Sequence, residues 1–294
     1  MSQKIRVLDG GMGTALSNKG HDITNSLWSA GLLLNNPAAI KEVHREHART
    51  GADILTTASY QASENGFLEM GYSRADYLTA LEISLSIANQ VADEIGGEVG
   101  RDIEVATSIS PYGATIADGS EYRGDYNKSK EFLMDFHGKR LEDIAQFQPN
   151  LLAFETVPSS LELEVINELL EDDFKTFKSW VSCSAKSETQ ISDGTSFEDA
   201  MQILTAPNII ARGVNCTRVD FISPLLEKLS GPFVVYPNAG SWDAENREWL
   251  ETDQSFFSKT QIKKWFSQEV TILGGCCGLG TDYISKVRKT LDSL

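Results

Sequence analysis

The sequence predicts a single-domain (β/α)8 barrel of the TIM type. Three observations lead there. Eight short apolar runs alternate with helical patterns over the 294 residues, and parallel neighbouring strands need such crossover helices. No Pro/Ser-rich linker or low-complexity stretch divides the chain. A barrel of this kind commonly fills about 250 residues as one domain. An open doubly wound sheet is the competing arrangement.

Taken in order, residues 5–8 read as the first strand, followed by Asp9-Gly10-Gly11-Met12-Gly13-Thr14. Pro37 opens a helix whose Ile40, Val43, His44 and His47 share a face. Residues 53–57 form the second strand and 75–95 a long amphipathic helix. Residues 103–109 form the third strand. A polar, glycine-rich segment, 110–127, follows it and precedes a helix over 129–147. The fourth strand is 151–155, and Ser159 or Ser160 caps a helix ending near 171. The second half repeats the scheme. Strands fall at 178–184, 209–214, 233–236 and 270–273, with helices at 196–205, 220–229, 259–266 and 282–291.

The formal charge is 26 − 42 = −16. Such an acidic chain argues against nucleic acid and anionic membranes as partners. The first residues carry no apolar signal segment, and no run is long and apolar enough to span a bilayer. A cytoplasmic location is therefore expected. There the four cysteines, Cys183, Cys216, Cys276 and Cys277, are reduced thiols or ligands rather than disulfides.

In a barrel the active site lies at the C-terminal ends of the strands, and the unusual residues of this chain sit there. Adjacent cysteines on a regular strand point to opposite faces. In Gly274-Gly275-Cys276-Cys277-Gly278 the flanking glycines relax that constraint. Cys216, in Gly213-Val214-Asn215-Cys216-Thr217, ends the sixth strand; the seventh is flanked by the sixth and eighth, so the three thiols can meet. Three thiolates with one free position describe a catalytic zinc site. The plain alternative is buried cysteines beside a tight turn, since Cys-Cys lacks the C-x2-C spacing of structural zinc modules.

The other strand ends offer Asp9, Glu155 and Tyr60. Asp9 and Glu155 are either ordinary caps and ion-pair partners or a pair facing one ammonium group. Gly10, Gly11 and Gly13 lack the spacing and lysine of a nucleotide loop, and instead let backbone N–H groups approach a ligand. Trp28 and Tyr60 are core aromatics or part of the mouth. His44, His47 and His137 lie inside helical patterns as packing or surface residues, and Cys183 belongs to the core. No Ser-His-Asp order or paired-acid hydrolase pattern emerges.

Five motifs together resemble the homocysteine S-methyltransferase family. They are Asp9 through Thr14, Pro111-Tyr112-Gly113-Ala114, Asp118 through Tyr126, Gly213 through Thr217, and Gly274 through Gly278. The likeness runs from about residue 5 to 290. The long motif 118–126 looks most like the S-methylmethionine-dependent branch. The resemblance implies that the whole chain, 1–294, is a homocysteine-binding barrel with Zn2+ on Cys216, Cys276 and Cys277. It also implies that Asp9 and Glu155, with the backbone at Gly10 and Gly11, hold the homocysteine amino group. Asn215, Tyr60 and Trp28 complete the expected substrate site, the aromatics facing a sulfonium cation. A betaine- or folate/cobalamin-dependent methyltransferase, and a non-catalytic zinc or redox protein, are the rival readings.

Overall fold

The structure is a computed structural model that describes residues 5–243, 248–251 and 258–293. Residues 1–4, part of the stretch expected to lack a signal segment, lie outside the described residues. The strands are β1 (Arg6–Val7), β2 (Ile54–Thr56), β3 (Glu104–Ile109), β4 (Leu151–Val157), β5 (Lys178–Cys183), β6 (Ile209–Arg218), β7 (Phe233–Asn238), β8 (Gly240–Asp243), β9 (Glu248–Glu251) and β10 (Val270–Leu273).

Eight of them form one parallel sheet in the order β1-β10-β7-β6-β5-β4-β3-β2. The two edges meet at a parallel bridge between Leu8 and Ile54. There Asp9 N donates to Ile54 O at 3.1 Å and Asp53 N to Val7 O at 2.6 Å. The sheet therefore curls into a nearly closed barrel rather than the open alternative. β1 is shorter than expected because Leu8 makes only this single bridge to Ile54, while its N–H bonds Leu273 O at 2.9 Å. The β8–β9 pair is an antiparallel hairpin outside the barrel. Its strands of four residues are too short for alternation to reveal them in sequence.

The barrel strands send aliphatic residues inward, joined by the two large aromatics Trp180 and Tyr236. Leu8, Ile54, Ala106, Leu151, Ala153, Trp180, Ala211, Val234, Tyr236 and Ile272 form a separate interior cluster. A packed lumen of this kind is what a barrel of eight parallel strands requires. A larger cluster fills the space between sheet and helices. β4, Leu-Leu-Ala-Phe-Glu-Thr-Val, is buried at every position, as expected for a strand covered on both faces.

The helices follow the apolar periodicity closely. Helix Ser160–Glu171 is capped by Ser159, whose Oγ accepts from Glu162 N. Helix Arg74–Val99 starts in a capping box between Ser73 and Asp76. His44 and His47 are wholly buried on helix Pro37–Thr50. Burial holds their pKa values down to about 3 and about 4. They are neutral packing residues, one of the two roles that the helical pattern allowed. His137 is buried too, in helix Lys130–Ala145.

Candidate metal centre and its mouth

The strand ends that carry the chemistry are irregular. The β4–β5 register shifts between Phe154 and Val157, and the β6–β7 register shifts between Asn215 and Arg218. Each irregularity contains a non-glycine residue in the left-handed region, Thr156 at φ 61° and Cys216 at φ 48°. Such backbone costs about 1–3 kcal/mol per residue and gathers at functional sites. A bulge re-aims side chains by breaking strict alternation. Asn215 braces the corner. Thr156 N donates to Asn215 Oδ1 at 2.6 Å, Asn215 Nδ2 donates to Thr156 Oγ1 at 2.8 Å, and Ser182 Oγ donates to Oδ1 at 2.8 Å.

The Cys pair follows β10 in a turn sewn to its neighbours. Cys276 N donates to Pro237 O at 2.8 Å, and Ala239 N donates to Cys277 O at 2.9 Å. Gly278, at φ 77°, lets the chain reverse, and its N–H meets Thr14 Oγ1 at 2.9 Å. On the other side Gly275 N donates to Asp9 O at 3.0 Å. Gly10 and Gly11 permit this close contact. A Cβ on Gly10 would lie 2.6 Å from Leu279 O, and one on Gly11 2.7 Å from Cys276 O. The Gly11 N–H is already bonded to Leu279 O at 2.9 Å, so it supports the turn.

This scaffold brings the three thiols together. Cys216 Sγ lies 2.7 Å from Cys276 Sγ and 3.6 Å from Cys277 Sγ, and all three sulfurs fall within 4.8 Å of one another. None is in a disulfide. Sulfurs on a tetrahedral zinc with bonds of about 2.3 Å are roughly 3.8 Å apart. The donor set fits a thiophilic metal, with the Cys216–Cys276 pair tighter than that ideal. Without a cation the thiols cannot all ionise. Hydrogen bonds from Cys216 and Cys276 hold Cys277 below the usual thiol range, and the same contacts with Cys216 and Cys277 push Cys276 up. A cation relieves that conflict. Cys183 stands apart and fully buried in the core, where burial pushes its thiol up.

Both expected carboxylates lie near the cluster. Asp9 accepts from Thr56 N at 2.8 Å and Thr56 Oγ1 at 3.0 Å. Burial pushes it up to about 7 against those bonds. Glu155 is raised well above the carboxylate range, by burial and then by the charges of Asp9 and Cys216. Its Oε1 is buried without a partner. Tyr60 joins the same group, for burial and then the Glu121 charge raise its phenol, and Cys216, Thr156 and Glu155 act on it as well. Trp28 is half-buried on the turn Trp28–Gly31 at φ 47°. Among the described residues, no hydrogen bond, ion pair or ring contact ties it to the cysteines or the carboxylates.

The segment 110–127 is built rather than loose. It holds a helical turn, Tyr112–Thr115, and a 3-10 turn, Ser120–Tyr122. Tyr122 Oη reaches within 3.3 Å of Cys216 Sγ. The fully buried Glu162 anchors the segment, accepting from Tyr112 N at 2.7 Å and from Tyr126 Oη. His137 Nε2 lies 2.7 Å from the same carboxylate. Buried Arg140 ties two strand ends together, donating to Ser110 O at 3.0 Å, Ser59 O at 3.1 Å and Tyr60 O at 2.8 Å. Sequence reasoning assigned no role to Glu162 or Arg140. The Ser159-x-x-Glu162 spacing was a signal for a helix start, and nothing marked Arg140 among other helical arginines.

The family model described as homocysteine S-methyltransferase matches residues 6–291. Homocysteine S-methyltransferase 2 of Arabidopsis thaliana is 37% identical, over 97% of this chain and 92% of its own. A homocysteine S-methyltransferase of Bacillus subtilis is also 37% identical, over 98% and 95%. Among solved structures, the metallated form of the homocysteine methyltransferase MmuM from Escherichia coli superposes with a TM-score of 0.87. It is 33% identical and is matched over 98% of this chain and 96% of its own. This chain belongs to the homocysteine S-methyltransferase family and is an enzyme of the methyltransferase class.

Proposed function

We propose that the chain, as one homocysteine-binding domain over residues 1–294, transfers a methyl group from a sulfonium donor to the thiol of L-homocysteine. S-methylmethionine is the preferred donor and S-adenosylmethionine the weaker one. The observation that carries this reading is the convergence of three thiols with the buried pair Asp9 and Glu155 at one barrel mouth. Cys216, Cys276 and Cys277 hold Zn2+. When bound, it keeps the homocysteine sulfur as a thiolate near neutral pH, where a free thiol with a pKa near 8.5 is mostly protonated.

The chain's own groups supply binding and orientation. Asp9 and Glu155 hold the homocysteine α-ammonium, and its positive charge offsets the burial of two carboxylates. Asn215 acts as a positioning residue, fixing the Glu155–Thr156 corner through Thr156. Tyr60 offers a ring face to the sulfonium, and Trp28 is the second candidate. The homocysteine sulfur uses a lone pair to form the new S–CH3 bond. The electrons of the donor C–S bond return to the donor sulfur, which leaves as a neutral thioether. No general base is needed. With S-methylmethionine both products are methionine. The direct test is methionine formation from homocysteine and each donor by the purified protein, with its zinc content measured alongside. Absence of methionine with every sulfonium donor contradicts the reading.

A further inference from the structure

A third buried carboxylate stands beside the cysteines. Glu121 is 3% exposed, and its Oε2 has no hydrogen-bond partner. It lies on the turn Ser120–Tyr122, whose last residue brings its hydroxyl to Cys216 Sγ. The turn is held from behind, where Ser184 Oγ donates to Glu121 O at 2.8 Å. The guanidinium of Arg123, two residues on, pairs with Asp118 at 3.4 Å and Asp125 at 3.2 Å. Glu121 exerts its charge on Tyr60 and Cys277, and Cys216 acts on Glu121 in turn. The turn that carries this buried, unpartnered carboxylate thus touches the cluster through Tyr122. A buried carboxylate with a free oxygen is costly unless a cation meets it. Asp9 and Glu155 come from β1 and β4, whereas Glu121 approaches from the segment after β3.

We propose that Glu121 anchors the α-ammonium of the methyl donor and so selects amino-acid sulfoniums over cations without an amino group. This rests on the sulfonium-dependent reading above. Such a donor carries two cationic centres. The sulfonium loses its charge as the methyl departs, so a carboxylate held against it stabilises the ground state more than the transition state and slows the reaction. The α-ammonium keeps its charge throughout, so a carboxylate there lowers both states equally and adds affinity alone. That argument assigns Glu121 to the ammonium and leaves the sulfonium to the ring face of Tyr60, with Trp28 as the second candidate.

The test compares wild type with Glu121→Gln, both metal-loaded. Titration calorimetry gives Kd for S-methylmethionine and for dimethylsulfoniopropionate, a sulfonium carboxylate without an amino group. Kd for S-methylmethionine is expected to rise about tenfold or more, and that for dimethylsulfoniopropionate to move by less than about twofold. At saturating S-methylmethionine, kcat stays within about threefold. Because the readout is a ratio of two ligands on one protein, partial unfolding of the variant does not mimic it. Glu121→Asp, which keeps the charge, recovers part of the affinity. An equal rise for both ligands, or no rise for S-methylmethionine, overturns the assignment of Glu121 alone. Wild type that forms no methionine with any sulfonium overturns the proposed function and this inference with it.

Discussion

Tyr122 Oη lies 3.3 Å from Cys216 Sγ, so the segment between β3 and the next long helix touches the cluster itself. Glu162 holds this segment near both ends, at Tyr112 and Tyr126. Between those anchors the chain is tied mainly by its own short-range bonds, such as Ser120 to Asp118 at 2.9 Å. We predict that residues 116–125 close further when homocysteine and donor bind, excluding water from the sulfonium. Hydrogen exchange should slow there and leave the anchors unchanged. Equal exchange with and without substrates would remove the lid role.

The cluster predicts a stoichiometric metal. Replacing Cys216, Cys276 or Cys277 by Ser should abolish most zinc binding and activity while the barrel persists on its hydrophobic core. The check is metal content by elemental analysis together with circular dichroism. Full zinc and full activity in Cys277→Ser would sink the assignment. Chelation of the wild type should likewise remove activity, and added zinc should restore it.

Glu155→Gln should weaken homocysteine binding roughly tenfold or more, since a hydrogen bond to a charged group contributes about 1.5–3 kcal/mol. A thiol of the same length without the amino group separates the roles. If both thiols suffer equally, Glu155 does not hold the ammonium.

Asp9 carries a pH signature. Its ordinary value is 3.8 and burial pushes it up to about 7. Between those values the folded protein holds more protons than the unfolded chain, so this group makes stability fall as pH rises through that window. Asp9→Asn should flatten the Tm-versus-pH curve between about pH 4 and 7. A variant curve with the wild-type slope would show that other groups set it.

Asn215→Ala should destabilise the protein by about 1–3 kcal/mol, because it strips partners from buried Thr156 and Ser182. Its effect on homocysteine KM should exceed that of Tyr60→Phe if the Glu155 corner shifts. Denaturant unfolding and kinetics on the same preparations measure both.

Much of this was legible in the chain. The alternating runs gave the barrel because each strand and helix carries its own apolar period, and the cysteine motifs named three thiols whose meeting the strand order then explained. Other features depend on contacts distant in sequence. The shortness of β1 follows from Leu8 facing both Leu273 and Ile54. The left-handed Thr156 and Cys216 need the Asn215 brace from across the sheet, which no local pattern announces. Gly11 looked like a ligand-binding position, yet its N–H bonds Leu279 some 268 residues away. Glu162 and Arg140 act through backbone groups of segments that only the fold brings near.

The identity of the methyl donor defines the reaction. Betaine and sulfoniums are both cations, but a neutral thioether leaves more readily from a sulfonium than an amine leaves from an ammonium. The decisive measurement is kcat/KM for S-methylmethionine, S-adenosylmethionine, betaine and methyltetrahydrofolate, side by side on zinc-replete enzyme with homocysteine. S-methylmethionine is expected first, S-adenosylmethionine weaker, and no useful turnover with the other two; betaine outperforming S-methylmethionine would overturn the sulfonium assignment.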